Sequence, residues 1–77
     1  MTPSQCRAAR ALIRLSQAQL AKSARVGLST VIDFEGESRE PRGDNLEKMR
    51  AALEKAGVLF IEENGEGAGV RLKKTTR

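Results

Sequence analysis

Apolar residues recur at helical spacing over most of the chain and at strand spacing near its end. Cys6, Ala9 and Ile13 stand at i, i+3 and i+7, which marks the buried face of a first helix. Thr2 suits its N-cap, Pro3 its first turn, and Gln5 completes a capping-box spacing. Arg7, Arg10 and Arg14 fall largely away from that face. Ser16 caps a second helix, Gln17 to Ala24, which turns Leu20, Ala21 and Ala24 inward. The stretch Arg25-Val26-Gly27 breaks the pattern. A third short helix, Leu28 to about Glu35, carries Val31 and Phe34 on one side. GESREPRG, with two glycines and a proline, predicts a loop. A fourth helix is predicted from about Asp44 to Ala56. Asp44 and Glu47 repeat the capping-box spacing, Leu46, Met49 and Leu53 form the stripe, and Gly57 ends it.

After Gly57 the period shortens to two. VLFIEE and VRLKK are β-prone and are separated by NGEGAG, which predicts a hairpin with a long loop. Val58 and Phe60 share one face of the first strand, Leu59 and Ile61 the other. Apolar residues on both faces imply burial on both sides, and a two-stranded unit is marginal alone. The hairpin must therefore lie on the helices or pair with a second copy. We expect two subunits to join through it, with Val58, Leu59, Phe60, Ile61, Val70 and Leu72 at a homodimer interface. The chain then divides into a helical region, 1–57, and a hairpin with a basic tail, 58–77.

Composition narrows the chemistry. The 77 residues include 14 Lys+Arg against 10 Asp+Glu, no His and one Cys. One Cys makes no intrachain disulfide, and without His it builds no zinc site. Imidazole catalysis is excluded as well, so we expect no enzyme, no metal and no cofactor. No apolar run approaches the ~20 residues that span a bilayer. MTPSQCRAAR lacks the apolar stretch of a secretory signal, so a cytoplasmic protein without membrane contact is expected. A chain this short buries only about 60% of its unfolded surface, which favours a dimer. Its net charge of +4 suits a nucleic-acid partner.

Two short helices joined by a three-residue break form a helix-turn-helix arrangement. The run LSQAQLAKSARVGLSTVIDFE resembles the helix-turn-helix of the XRE family, the Cro and phage-repressor type. The match is carried by Ser16, Gln17, Leu20, Ala21, Ala24, Val26, Ser29, Thr30, Val31, Phe34 and Glu35. Arg39, Pro41, Leu46 and Leu53 continue it, so that it spans roughly Gln5 to Val58. The resemblance implies a mainly α, lambda-repressor-like bundle of four helices, here with a C-terminal β-hairpin. It implies a sequence-specific DNA-binding transcriptional regulator, a repressor or autoregulator of phage or mobile-element type, binding a pseudo-palindromic operator as a homodimer.

In that family the second motif helix enters the major groove of double-stranded DNA. Here it would present Leu28, Ser29, Ile32 and Asp33 to the bases. Ser29 can bond a base edge, Leu28 and Ile32 can touch thymine methyls, and Asp33 can accept from a cytosine amino group. Arg10, Ser16, Gln17, Thr30, Arg39 and Arg42 are the phosphate candidates. A second reading has Leu28 and Ile32 docking a protein partner, such as a toxin or another regulator. Three departures matter: Arg25 stands where the family has Gly in the turn, Gly27 is a weak cap for the recognition helix, and Gly36 comes early enough to end that helix one residue sooner.

Overall fold

The fold is described by a computed structural model over residues 1–73; the end of the basic tail beyond Lys73, where added non-specific DNA affinity is expected, lies outside the described residues. Four helices come first: α1 Pro3–Ile13, α2 Gln17–Ala24, α3 Leu28–Glu35 and α4 Asn45–Lys55. Strands β1 Val58–Ile61 and β2 Gly69–Leu72 follow as an antiparallel pair. The chain is thus mainly helical with one small sheet, as the periodicity predicts.

The first two helix starts form as expected. The Thr2 hydroxyl accepts from the Gln5 amide at 3.0 Å, and the Gln5 side-chain carbonyl accepts from the Thr2 amide at 2.9 Å. Ser16 and Gln19 repeat the exchange at 3.0 and 2.9 Å. The predicted Asp44 box does not form. Asp44 has φ −97° and ψ 15°, close to helical rather than extended, so its carboxylate does not reach over the helix end. It lies instead 3.6 Å from Lys48, one turn on.

Where the chain leaves α2, Arg25 adopts φ 60° and ψ 45°. The amide of Val26 then reaches back to the Ala21 carbonyl at 3.0 Å, which closes the helix and turns the chain toward α3. Arg14 ends α1 in the same way, with φ 54°. A left-handed conformation costs an ordinary residue about 1–2 kcal/mol. We expect Arg25→Gly to raise the stability of the protein by about 1 kcal/mol, part of the relief being offset by the added freedom of the unfolded chain. A urea titration of the two proteins measures this, and an unchanged or lowered midpoint would contradict it.

The end of α3 distributes its residues differently. Gly36 is right-handed, at φ −84°, and the left-handed position falls on Glu37, at φ 59°. The helix does end at Glu35, but the glycine sits one residue ahead of the place that would use its freedom.

The core is built by Cys6, Ala9, Leu20, Ala21, Ala24, Val31, Phe34, Met49, Leu53 and Val58, all buried. Ile13, Leu15, Val26, Leu46, Phe60 and Val70 pack around it. Ala21 and Ala24 are small where α2 meets both α3 and α4. Burying a side chain such as Leu20 or Leu53 contributes about 1.5–3 kcal/mol.

The hairpin lies on the helices. Val58 pairs with Leu72, Leu59 with Arg71, Phe60 with Val70 and Ile61 with Gly69. Facing pairs share a side, so Val58, Phe60 and Val70 point together toward α1 and α4. Gln5 on α1 fixes the far end: its amide nitrogen donates to the carbonyls of Ile61 at 3.1 Å and Gly69 at 3.0 Å. On α4, the Arg50 guanidinium sits 5.0 Å from the centre of the Phe60 ring and 3.3 Å from Glu62.

Two expectations change accordingly. Val58 is only 1% exposed and completes the core of the helices, so residue 58 does not begin a separately cored unit. Val58 is also withdrawn from the homodimer interface, because its own chain buries it, and Phe60 and Val70 are half-covered by the helices. Leu59 and Leu72, 42% and 50% exposed, and the half-buried Ile61 remain accessible.

Candidate nucleic-acid interface

Helix α3 separates two sets of residues. Val31, Phe34 and Glu35 are buried, whereas Leu28, Ser29 and Ile32 are exposed and Asp33 is half-buried. The exposed set is the one expected to face bases. Gly27 caps the helix without a side-chain hydrogen bond, as expected for a residue with no hydroxyl. The Thr30 amide turns to the Gly27 carbonyl at 3.0 Å, and the amides of Leu28 and Ser29 are left to solvent or a ligand. The Ser38 hydroxyl donates to the Asp33 carbonyl at 3.3 Å and lies 3.5 Å from its carboxylate.

Glu35 is the centre of a buried polar cluster that the periodicity did not expose. Arg10 grips it with two bonds of 2.7 Å, from Nε to Oε2 and from Nη2 to Oε1. The Cys6 thiol donates to Oε2 at 3.0 Å and the Gln17 amide to Oε1 at 3.0 Å. Arg7 donates to the Glu35 backbone carbonyl, at the last turn of α3. A single carboxylate thus joins α1, α2 and α3. Burial alone would push its pKa up. The hydrogen bonds from Arg10, Cys6 and Gln17 outweigh that and hold it below the ordinary carboxylate value. Burial and the neighbouring carboxylate push the Cys6 thiol far up, so it stays protonated and serves as a donor.

This cluster engages two of the expected phosphate ligands, Arg10 and Gln17. Arg10 spends its third donor nitrogen on the Leu15 carbonyl, at 2.9 Å, and its side chain is only 19% exposed. Three of its five N–H groups are engaged within the chain, so its role is structural first, and two N–H groups remain for a phosphate. Gln17 commits one amide hydrogen to Glu35, which leaves the other and its carbonyl at the start of α2. Ser16 uses its oxygen as a cap acceptor but keeps its hydroxyl hydrogen for a donor role. The signal for the cluster was present: Glu35 follows Val31 by four residues, so it falls on the inward face, where a carboxylate needs a basic partner.

Five of the remaining candidates converge. Ser29, Thr30 and Asp33 of α3 line a cleft of about 120 Å³ together with Arg39, Glu40, Pro41, Arg42 and Asn45. The loop after α3 thereby brings two guanidinium-bearing residues to the edge of its exposed face. Arg39 and Arg42 form no salt bridge with the described residues. Two carboxylates, Asp33 and Glu40, share the cleft. Glu40 and Asn45 were not among the expected residues; both lie in or beside a loop whose path the spacing did not define.

Among the described residues, no helix is long and apolar enough to cross a membrane, and no group of three or more His, Cys, Asp or Glu side chains is placed to hold a metal ion. No protein-family model matches the chain, and no curated protein is similar enough to be matched with it.

Proposed function

We infer that the protein is a sequence-specific DNA-binding regulator of lambda-repressor-like fold, with α3 as its recognition helix. The observation that carries the reading is α3 itself. It is anchored on one side by Val31, Phe34 and Glu35, and it leaves Leu28, Ser29 and Ile32 exposed beside Arg39 and Arg42. A helix held this way can enter a major groove while arginines on the adjoining loop meet the phosphates. Ser16, Gln17 and the N-terminus of α2 add donors for the backbone, and Thr30 lies at the same cleft. Two copies on a pseudo-palindromic site would give a repressor or autoregulator whose occupancy follows its concentration. The absence of His from the sequence fits a binding protein better than an acid–base enzyme.

The test is a salt-dependent titration with the DNA upstream of the protein's own coding sequence, against random DNA. We expect the former to bind about a thousandfold more tightly or better. Arg39→Ala and Arg42→Ala should each reduce the slope of log K against log salt by about one. Replacing thymines of the site by deoxyuridine removes only their methyl groups. It should weaken the wild type about fivefold per contacted methyl, near 1 kcal/mol each, and leave a Leu28→Ala/Ile32→Ala variant unaffected by the exchange. Equal, weak binding to both DNAs would overturn the reading.

One observation favours a second reading. Leu28 and Ile32 form an exposed apolar pair, at 44% and 46%, with the acid of Asp33 alongside. Such a pair also suits a protein partner of regulator or toxin type. Retention of a partner by the wild type but not by Leu28→Asp, with no DNA preference, would select it.

A further inference from the structure

The hairpin leaves one face uncovered, and its charges run in one direction along it. Alternation from the pairing register puts Leu59 and Ile61 of β1 and Arg71 of β2 on the side away from the helices. Lys73 continues that side at the open end, where its amide donates to the Gly57 carbonyl. Glu63 lies two residues beyond Ile61, at the tip. Its carboxylate accepts from the amides of Gly65 at 3.0 Å and Gly67 at 3.1 Å, and Glu66 joins it in the same loop. The outer side of the hairpin therefore has an apolar middle and a basic base, and the loop at its tip carries two carboxylates.

We propose that two copies of the chain associate through this face, antiparallel, with the tip of each hairpin over the base of the other. Face-to-face pairs about a two-fold axis range between two limits, set by the direction of the axis in the plane of the face. With the axis along the strands, tip meets tip, and Glu63 and Glu66 confront their own copies. With the axis across the strands, tip meets base, so that Glu63 and Glu66 approach Arg71 and Lys73 of the second copy. Charge selects the second arrangement. Leu59 and Ile61 then meet their counterparts at the centre, where each is removed from water. The proposal deepens the reading above, in which two copies share one DNA site; its test needs no DNA, so either can fail alone.

The face is small. Two strands of four residues span about 13 by 10 Å, well short of the ~800 Å² per partner of a standard interface. The dimer is accordingly weak, exchanging with monomer at roughly micromolar or higher concentration, and tightens as salt is lowered.

Sedimentation equilibrium of the full chain over a wide concentration range tests this. We expect a monomer–dimer equilibrium, lost in Leu59→Glu, an exposed position whose replacement leaves the helical circular dichroism unchanged. Two charge-reversed proteins, Glu63→Lys/Glu66→Lys and Arg71→Glu/Lys73→Glu, should each self-associate at least about tenfold more weakly. Mixed together, they should recover a heterodimer. Glu63 also organises its loop, so Glu66→Lys alone serves as the second variant if the double one unfolds. A wild type that stays monomeric at all concentrations, a dimer indifferent to Leu59→Glu, or charge-reversed variants that fail to recover each other would overturn the proposal.

Discussion

Arg10→Met should destabilise the protein by about 3 kcal/mol or more, the usual cost of leaving one member of a buried ion pair without its partner. Glu35 is 3% exposed and receives two of its four side-chain hydrogen bonds from Arg10. Methionine keeps the apolar stem and removes the charge. Domains of this size have stabilities near the low end of about 5–15 kcal/mol, so the variant should be partly unfolded at moderate temperature. Adding Glu35→Gln should restore much of the loss, because no buried charge then remains to be neutralised. A urea midpoint for each of the three proteins checks this, and an Arg10→Met midpoint close to that of the wild type would refute the role assigned to the pair.

The same cluster sets a pH dependence. In the wild type the folded carboxyl of Glu35 is held below its ordinary value, so the folded state releases its proton more readily than the unfolded chain. Its contribution is complete above the ordinary carboxylate range and fades as pH falls through it toward the lowered value. In Arg10→Met two of the four side-chain hydrogen bonds to the carboxylate are gone while its burial remains, so the carboxyl titrates higher than in the wild type. The variant should therefore gain stability relative to the wild type as the solution is acidified. Parallel pH profiles for the two proteins would contradict this.

A chain ending at Gly57 should not unfold cooperatively. Truncation removes Val58, a fully packed core residue, together with Phe60 and Val70, which cover the flanks of α1 and α4. It also strips Gln5 of the two carbonyls that its amide holds, on a residue only 5% exposed. Losing a large buried aliphatic or aromatic side chain costs about 2–5 kcal/mol, and the truncation removes several at once. Thermal denaturation followed by circular dichroism should show a broad, low-amplitude change in place of a sigmoid. A truncated protein with a sharp transition would mean that the helices form a complete core alone, and that the hairpin is an appendage after all.

Much of this architecture is legible in the sequence, because helix starts and apolar stripes are local. Thr2 with Gln5 places α1, and Ser16 with Leu20, Ala21 and Ala24 places α2 within a residue. Asp44 misled for a local reason of a different kind: spacing identifies a possible cap, but the cap also needs an extended backbone, and the residue after Gly43 does not have one. The pairing of Arg10 was not legible, because charge on a helix reads as solvent-facing until its partner is known. That partner lies 25 residues away, and such a separation carries no periodic signal. The hairpin faces were read correctly. What covers each was left open between the helices and a second copy, since alternation says that a face is apolar and not whether the same chain or another one buries it.

The division of labour along α3 has a consequence for how such a protein could change. Its attachment to the rest of the molecule rests on positions 31, 34 and 35, and its outward surface on positions 28, 29, 32 and 33. The two sets interleave in sequence but share no member. The outward surface can therefore be varied at four sites without renegotiating the fold, and a library randomised only there should return mostly folded proteins. The scaffold separates what must be kept from what can be varied, within a helix of eight residues.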